Sequence, residues 1–231
     1  MSNRNNIAAS IKESRAREIS SRREWKIFGS VKLIVKDRPP SNVSIQDIIQ
    51  ELEEKIPSAF VTALDVIYIG KFKNLLSREA EGAYQNGAIY ISNEQPNENE
   101  FVESIGHEIA HSLEEIASIK IYSDGTIKNE FLGKRRRLWS ILKSRSLASD
   151  ADKSHFEKLQ YSKEFDLYLY KTVGYSTLTS LTMGLFLSPY AATSLREYFA
   201  NAFESFFLND EAEYVKQISP AVYNKFIELT I

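Results

Sequence analysis

His107-Glu108-Ile109-Ala110-His111 is the stretch on which the reading of this chain turns. An α-helix carries 3.6 residues per turn, so two imidazoles four positions apart leave the same face and can grip one divalent ion between them. Glu108 lies about 100° round from His107, near enough to take a proton from a water on that ion but poorly placed to bind it. The flanking residues predict the helix independently. Phe101, Val102, Ile105, Ile109, Leu113 and Ile116 recur at three- and four-residue intervals, and Asn97 or Asn99 offers a cap. Glu98, Glu100 and Glu103 place negative charge on the opening turns, where the helix dipole favours it. An ordinary core helix shares this apolar spacing but gains nothing from burying two unpaired imidazoles.

Zn²⁺ is the ion expected, and with no cysteine in 231 residues it must be held by nitrogen and oxygen. Two histidines leave a catalytic zinc one protein ligand short. The extended metzincin motif needs a glycine at position 114 and a histidine at 117, where this chain has Glu114 and Ala117. The remaining histidine, His155, has no ligand-spaced partner and reads as a surface residue. A carboxylate from another helix is therefore the best candidate. Glu197 and Glu204, seven residues apart, share one face of a later helix, and Glu114 or Glu115 enters only if the motif helix bends.

Outward from the motif, the pattern is that of an α+β layered domain. Trp25, Ile27, Val31, Leu33 and Val35 alternate around Gly29 and predict strands ended by Pro39-Pro40. Ser41 or Ser44 opens a helix through Ile45, Ile48, Ile49, Leu52 and Ile56, stopped at Pro57. Val61 to Phe72 and residues 87–92 predict further strands before the motif helix. Ile119-Lys120-Ile121-Tyr122 and the Asp124-Gly125 turn suggest a small hairpin, and Lys134-Arg135-Arg136-Arg137 reads as a solvated helix face. Residues 144–155 are polar and read as loop. Thr193 or Ser194 then caps a helix through Leu195, Tyr198, Phe199, Ala202, Phe203 and Phe206, and Pro220 starts a closing helix through Phe226 and Leu229.

Composition bounds the partners. Lys and Arg total 29 against 31 acids, so a formal charge of −2 gives no global reason to expect nucleic acid or an anionic membrane. No window reaches the 18 apolar residues of a membrane span, and the N-terminus lacks the apolar core of a secretory signal, so a soluble, cytoplasmic or virion-associated chain is expected. Residues 1–24 form a basic arm: Arg4, Lys12, Arg15, Arg17, Arg22 and Arg23 face only Glu13, Glu18 and Glu24. Its weak helical pattern, Ile7, Ile11 and Ile19, needs a partner or the main domain to become stable.

The motif, followed by Tyr190 and then Glu197-Tyr198-Phe199-Ala200-Asn201-Ala202-Phe203, resembles the anthrax lethal factor-like zincins, the group that includes the Pro-Pro endopeptidases. The resemblance covers roughly residues 60 to 230. It implies a zincin-like metallopeptidase domain over residues 25–231, with a small mixed sheet on the His-Glu-x-x-His helix and a mostly helical C-terminal part. Residues 118–185 would be a family-specific insertion. It also implies Glu197 as the third zinc ligand beside His107 and His111, with Tyr190, seven residues earlier, assisting catalysis. Glu108 would be the general base of an endopeptidase acting on a peptide or protein, with Tyr190 donating to the oxyanion and Glu204 orienting a ligand histidine. Two other functions fit the same residues. One is a virion-associated or assembly protein that keeps the fold for a structural role and docks through its basic arm; the other is a toxin-like effector.

Overall fold

The structure is a computed structural model that describes residues 23–77, 80–149 and 152–230. The basic arm, up to residue 22, lies outside the described residues. Its N-terminal half is built from β1 (Glu24–Ile27), β2 (Val31–Val35), α1 (Ile45–Lys55), β3 (Val66–Gly70), α2 (Lys73–Leu76), β4 (Gly82–Gln85), β5 (Ala88–Ser92) and the long helix α3 (Glu98–Tyr122). The rest is helical: α4 (Thr126–Ser144), α5 (Lys153–Phe156), α6 (Lys163–Leu167), α7 (Tyr175–Thr182), α8 (Leu195–Phe203), α9 (Ala212–Ile218) and α10 (Pro220–Thr230). The expected α+β class holds, and no helix among the described residues is long and apolar enough to cross a membrane.

The five strands form one mixed sheet in the order β1-β2-β3-β5-β4. β2, β3 and β5 run parallel in the middle, and β1 and β4 are antiparallel edges. Side chains of a strand alternate between faces, and the alternation read from the sequence puts Ile27, Val31, Leu33, Val35, Ile67, Ile69, Ile89 and Ile91 on one fully covered face. Helix α3 packs on this layer against β4, β5 and α1. It buries Phe101, Ile105 and Ile109 there, and each such side chain contributes about 1.5–3 kcal/mol. Behind α3, rings of Phe199, Phe203, Phe207 and Phe226 meet tilted or edge to face, the cited pairs at centroid separations of 4.7–5.3 Å, and bind α8 to α10.

Local chemistry sets most element starts. Ser44 caps α1 by accepting from the Asp47 N–H, Asn97 caps α3 by accepting from Glu100, and Ser194 caps α8 by accepting from Glu197. Four expectations need correction. Within Val61–Phe72 only residues 66–70 are strand, because Ser58–Val61 closes into a 3-10 turn. Ile119–Tyr122 is not a hairpin strand but the last turn of α3: Ile121 and Tyr122 continue the helix face, and Gly125, at φ +72°, accepts the left-handed conformation that turns the chain into α4. The basic run is not wholly solvated. Arg135 follows Phe131 by one helical turn on the buried face of α4, and Arg136 and Arg137 stay outside. The polar stretch 144–155 ends in the short helix α5.

Candidate metal centre

Two helices meet over the centre of α3. His107 and His111 stand one turn apart with their rings edge to face at 4.7 Å. From α8, the Glu197 carboxylate comes between them: Oε2 lies 2.9 Å from His107 Nε2 and Oε1 3.6 Å from His111 Nε2. The three ligand atoms fall within 4.8 Å of one another, and His107, His111 and Glu197 are the one group of this kind among the described residues that could hold a metal ion. Glu197 Oε2 is buried yet receives no aligned hydrogen bond, as expected of an oxygen aimed at a shared point rather than at a ring N–H.

The placement of Glu197 is not a capping accident. Ser194-Leu195-Arg196-Glu197 has the Ser-x-x-Glu pattern of a capping box, in which the glutamate folds back onto the cap residue. Here the serine half is made, with the Glu197 N–H at 3.2 Å from Ser194 Oγ, while the carboxylate turns away to the imidazoles.

Each imidazole is also held from behind. His107 Nδ1 bonds Glu204, which opens a π-helical turn (Glu204–Leu208) at the end of α8. His111 Nδ1 lies 3.0 Å from Glu114 Oε2, and Glu114 in turn accepts from the Tyr122 hydroxyl and lies 3.5 Å from Arg196 Nε. A carboxylate on the far nitrogen of a ligating histidine fixes its tautomer and ring plane and raises its basicity. Glu204 is thus in contact with the His107 nitrogen that faces away from Glu197. The sequence offers Glu114 as a ligand only on a bent helix; α3 runs on without a break, and Glu114 sits behind His111 instead. Its signal was legible, since a residue three positions on from a histidine shares its helix face.

Gly106 lies under the end of the π turn, and a Cβ there would overlap the tip of the buried Leu208 side chain, which would have to give way.

Burial lowers the proton affinity of His107, but the carboxylates of Glu197 and Glu204 outweigh it and hold the pKa well above that of a free imidazole. His111 is raised in the same way, burial being outweighed by Glu114 and Glu197. Burial raises Glu197, but the two facing imidazoles prevail and bring it to about 2. These are the signs of a site arranged around positive charge.

Glu108 faces the edge strand β4 and stays within electrostatic reach of both imidazoles and of Glu197. It is 8 % exposed, and burial raises its pKa against the pull of the two histidines. The Tyr84 backbone N–H in β4 donates to it, and a Cβ on Gly82 would come within 3.0 Å of its Oε1. Strand β4, not anticipated from sequence, is therefore part of the Glu108 surroundings; its missed signal was Asn86-Gly87, at φ +49° and +78°, a hairpin dipeptide.

Tyr190 lies in a 3-10 turn (Tyr190–Ala192) with its ring 6.4 Å from that of His107. Burial, then the negative charge of Glu197, pushes its hydroxyl upward, so it stays protonated at neutral pH. His155 stands apart from the metal group: its ring stacks on Phe165 and its carbonyl accepts from Arg135. No protein-family model, curated protein or solved structure matches this chain.

Proposed function

We propose that the protein is a zinc-dependent endopeptidase with a zincin-like fold. The observation that carries this reading is the convergence of His107 Nε2, His111 Nε2 and the Glu197 carboxylate on one point, with Glu108 next to His107 on the same helix. A two-histidine, one-carboxylate set without thiolates suits Zn²⁺, and both imidazoles have the outer carboxylates that ligand histidines use. When bound, Zn²⁺ supplies Lewis-acid polarisation of a carbonyl and brings the pKa of a coordinated water to about 7.

The residues of the chain then divide the work. Glu108 takes a proton from the attacking water as its oxygen bonds to the carbonyl carbon, and gives that proton to the amine as the C–N bond breaks. Its raised pKa suits a base that must release its proton again. Tyr190, protonated and close to His107, donates a hydrogen bond to the oxyanion, a role worth roughly 3 kcal/mol in comparable sites. Among the described residues β4 ends the sheet, so an extended peptide can add along that edge beside Glu108 and be held by main-chain hydrogen bonds.

The test is cleavage of a peptide library by the zinc-loaded chain, with and without chelator, alongside Glu108→Gln. The expected result is chelator-sensitive cleavage that the variant loses by about 10²–10⁴-fold while still binding zinc. Wild-type turnover in Glu108→Gln, or no cleavage by the zinc-loaded parent, refutes the reading.

A further inference from the structure

We infer that the tyrosine-rich segment beside the metal group is a recognition wall for a lysine or arginine of the peptide, with Asp166 as the countercharge. The inference rests on the peptidase reading of the adjoining centre. Chain order and hydrogen bonds put the segment there: the Leu195 N–H, two residues before Glu197, donates to the Leu159 carbonyl at 2.8 Å. Just beyond, the Tyr161 hydroxyl donates to Asp166 Oδ2, also at 2.8 Å. Ser162 caps α6, so Asp166 is carried on a helix with a fixed start.

A π-helical turn (Tyr168–Gly174) follows, ended by Gly174 at φ +83°. Such turns are rare and cluster at functional sites. Around it Tyr161, Tyr170 and Tyr175 are 48 %, 54 % and 41 % exposed, and the rings of Tyr170 and Tyr175 meet edge to face at 5.3 Å. The wall adjoins the centre at Tyr190, whose ring lies 6.4 Å from that of His107 and whose hydroxyl is within electrostatic reach of both Glu197 and Asp166.

Asp166 has the chemistry of a half-satisfied site. Tyr161 holds one carboxylate oxygen, and no lysine, arginine or histidine pairs with Asp166 among the described residues. A basic side chain laid here gains a charge-assisted contact with the carboxylate and cation–π contacts with the tyrosine rings. An apolar side chain of the same length gains only the rings, and an acidic one is repelled. The expected order is therefore lysine or arginine, then norleucine, then glutamate.

The experiment uses the full chain carrying Glu108→Gln, loaded with Zn²⁺, so that bound peptide is not consumed. Fluorescein-labelled nonapeptides, neutral except for one residue scanned through the central positions, are titrated by anisotropy. At one position lysine and arginine should bind about ten-fold tighter than norleucine. Asp166→Asn, which still accepts from Tyr161, should shrink that gap to about two-fold, and Tyr175→Leu should weaken the basic peptides most. Equal affinities at every position, a preference that survives Asp166→Asn, or no binding of any peptide overturns the inference. Should Asp166→Asn not fold, loss of the lysine preference at about 0.5 M salt with Asp166 in place decides instead, and its persistence counts against Asp166. Cleavage by the Glu108 parent is scored separately. Turnover without a basic preference sinks the wall and spares the peptidase, whereas a basic preference without turnover does the reverse.

Discussion

Gly106→Ala tests how the two helices deliver the metal group. In an exposed helix interior alanine is favoured over glycine by about 1 kcal/mol. At position 106 the new methyl would sit 2.3 Å from Leu208 Cδ1, against a normal carbon–carbon contact of about 3.5–4.0 Å, an overlap of more than about 1 Å. Leu208 is 2 % exposed but borders a cavity, so the overlap is relieved by a rotamer change of Leu208, by strain or by retreat of the π turn. Overpacking of this kind typically costs about 1–3 kcal/mol, which offsets or exceeds the helical gain and leaves a net loss of up to about 2 kcal/mol. The sharper consequence falls on zinc. Retreat of the turn lengthens and misaligns the Glu204 contact with His107 Nδ1, and full loss of such an outer partner weakens metal binding by about 10–100-fold. Competition with a chromophoric chelator measures the affinity, and urea unfolding measures the stability. Adding Leu208→Ala should lower stability further, because it opens a cavity, yet restore much of the zinc affinity. Gly106→Ala binding zinc within about two-fold of the parent, with undiminished stability, would show that this close approach does not position Glu204.

Glu197→Ala should abolish tight zinc binding, and Glu204→Gln and Glu114→Gln should each weaken it by about 10–100-fold; metal analysis with Glu204 as the most damaging site would move the third ligand there. Zinc binding near pH 7 should release protons, because His107 and His111 have raised pKa values in the metal-free chain and must lose a proton to ligate. Calorimetry in buffers of different ionisation enthalpy reads this directly, and a buffer-independent heat would contradict it. The same shifts fix the sign for the metal-free fold. The stability from the raised histidines is full below pH about 6.5 and lost as pH rises through their folded values, and that from Glu197 is present above about 4.5 and lost toward its folded value of about 2. Urea unfolding with chelator should therefore show greatest stability between these limits, and a maximum above pH 8 would contradict the reading.

Much of the site was legible because its parts are local. The four-residue histidine spacing, the serine caps and the seven-residue interval between Glu197 and Glu204 are helix geometry written directly in residue order. What escaped depends on neighbours far along the chain. Gly82-Ala83-Tyr84-Gln85 carries little strand pattern of its own and is held in the sheet by β5. Lys134-Arg135-Arg136-Arg137 looks uniformly soluble, yet Phe131, Arg135, Leu138 and Leu142 share one buried helical stripe. Burial there is tolerated because the Arg135 guanidinium donates to the Thr193 and His155 carbonyls and lies 4.2 Å from the centroid of the Phe165 ring. Thr193 immediately precedes the cap of α8, so Arg135 helps to set the start of the helix that bears Glu197.

Charge makes the case for a cation without appeal to the motif. Glu108, Glu114, Glu197 and Glu204 all crowd the two imidazoles, with side chains or residues no more than about one-fifth exposed. Among the described residues Arg196 is the only lysine or arginine that pairs with any of them, from 3.5 Å and with a side chain 60 % exposed, where solvent weakens its influence. Four acids concentrated this way repel one another and are expensive to desolvate unless positive charge is brought among them. In the metal-free chain the histidines meet that demand by holding protons, which is why their pKa values rise although burial pushes the other way. A divalent ion placed where both Nε2 atoms and the Glu197 oxygens converge supplies the charge in one step and frees those protons. The arrangement of acids is thus costly as ordinary core packing and favourable around a metal, and that asymmetry supports the proposed metal centre over a buried polar cluster.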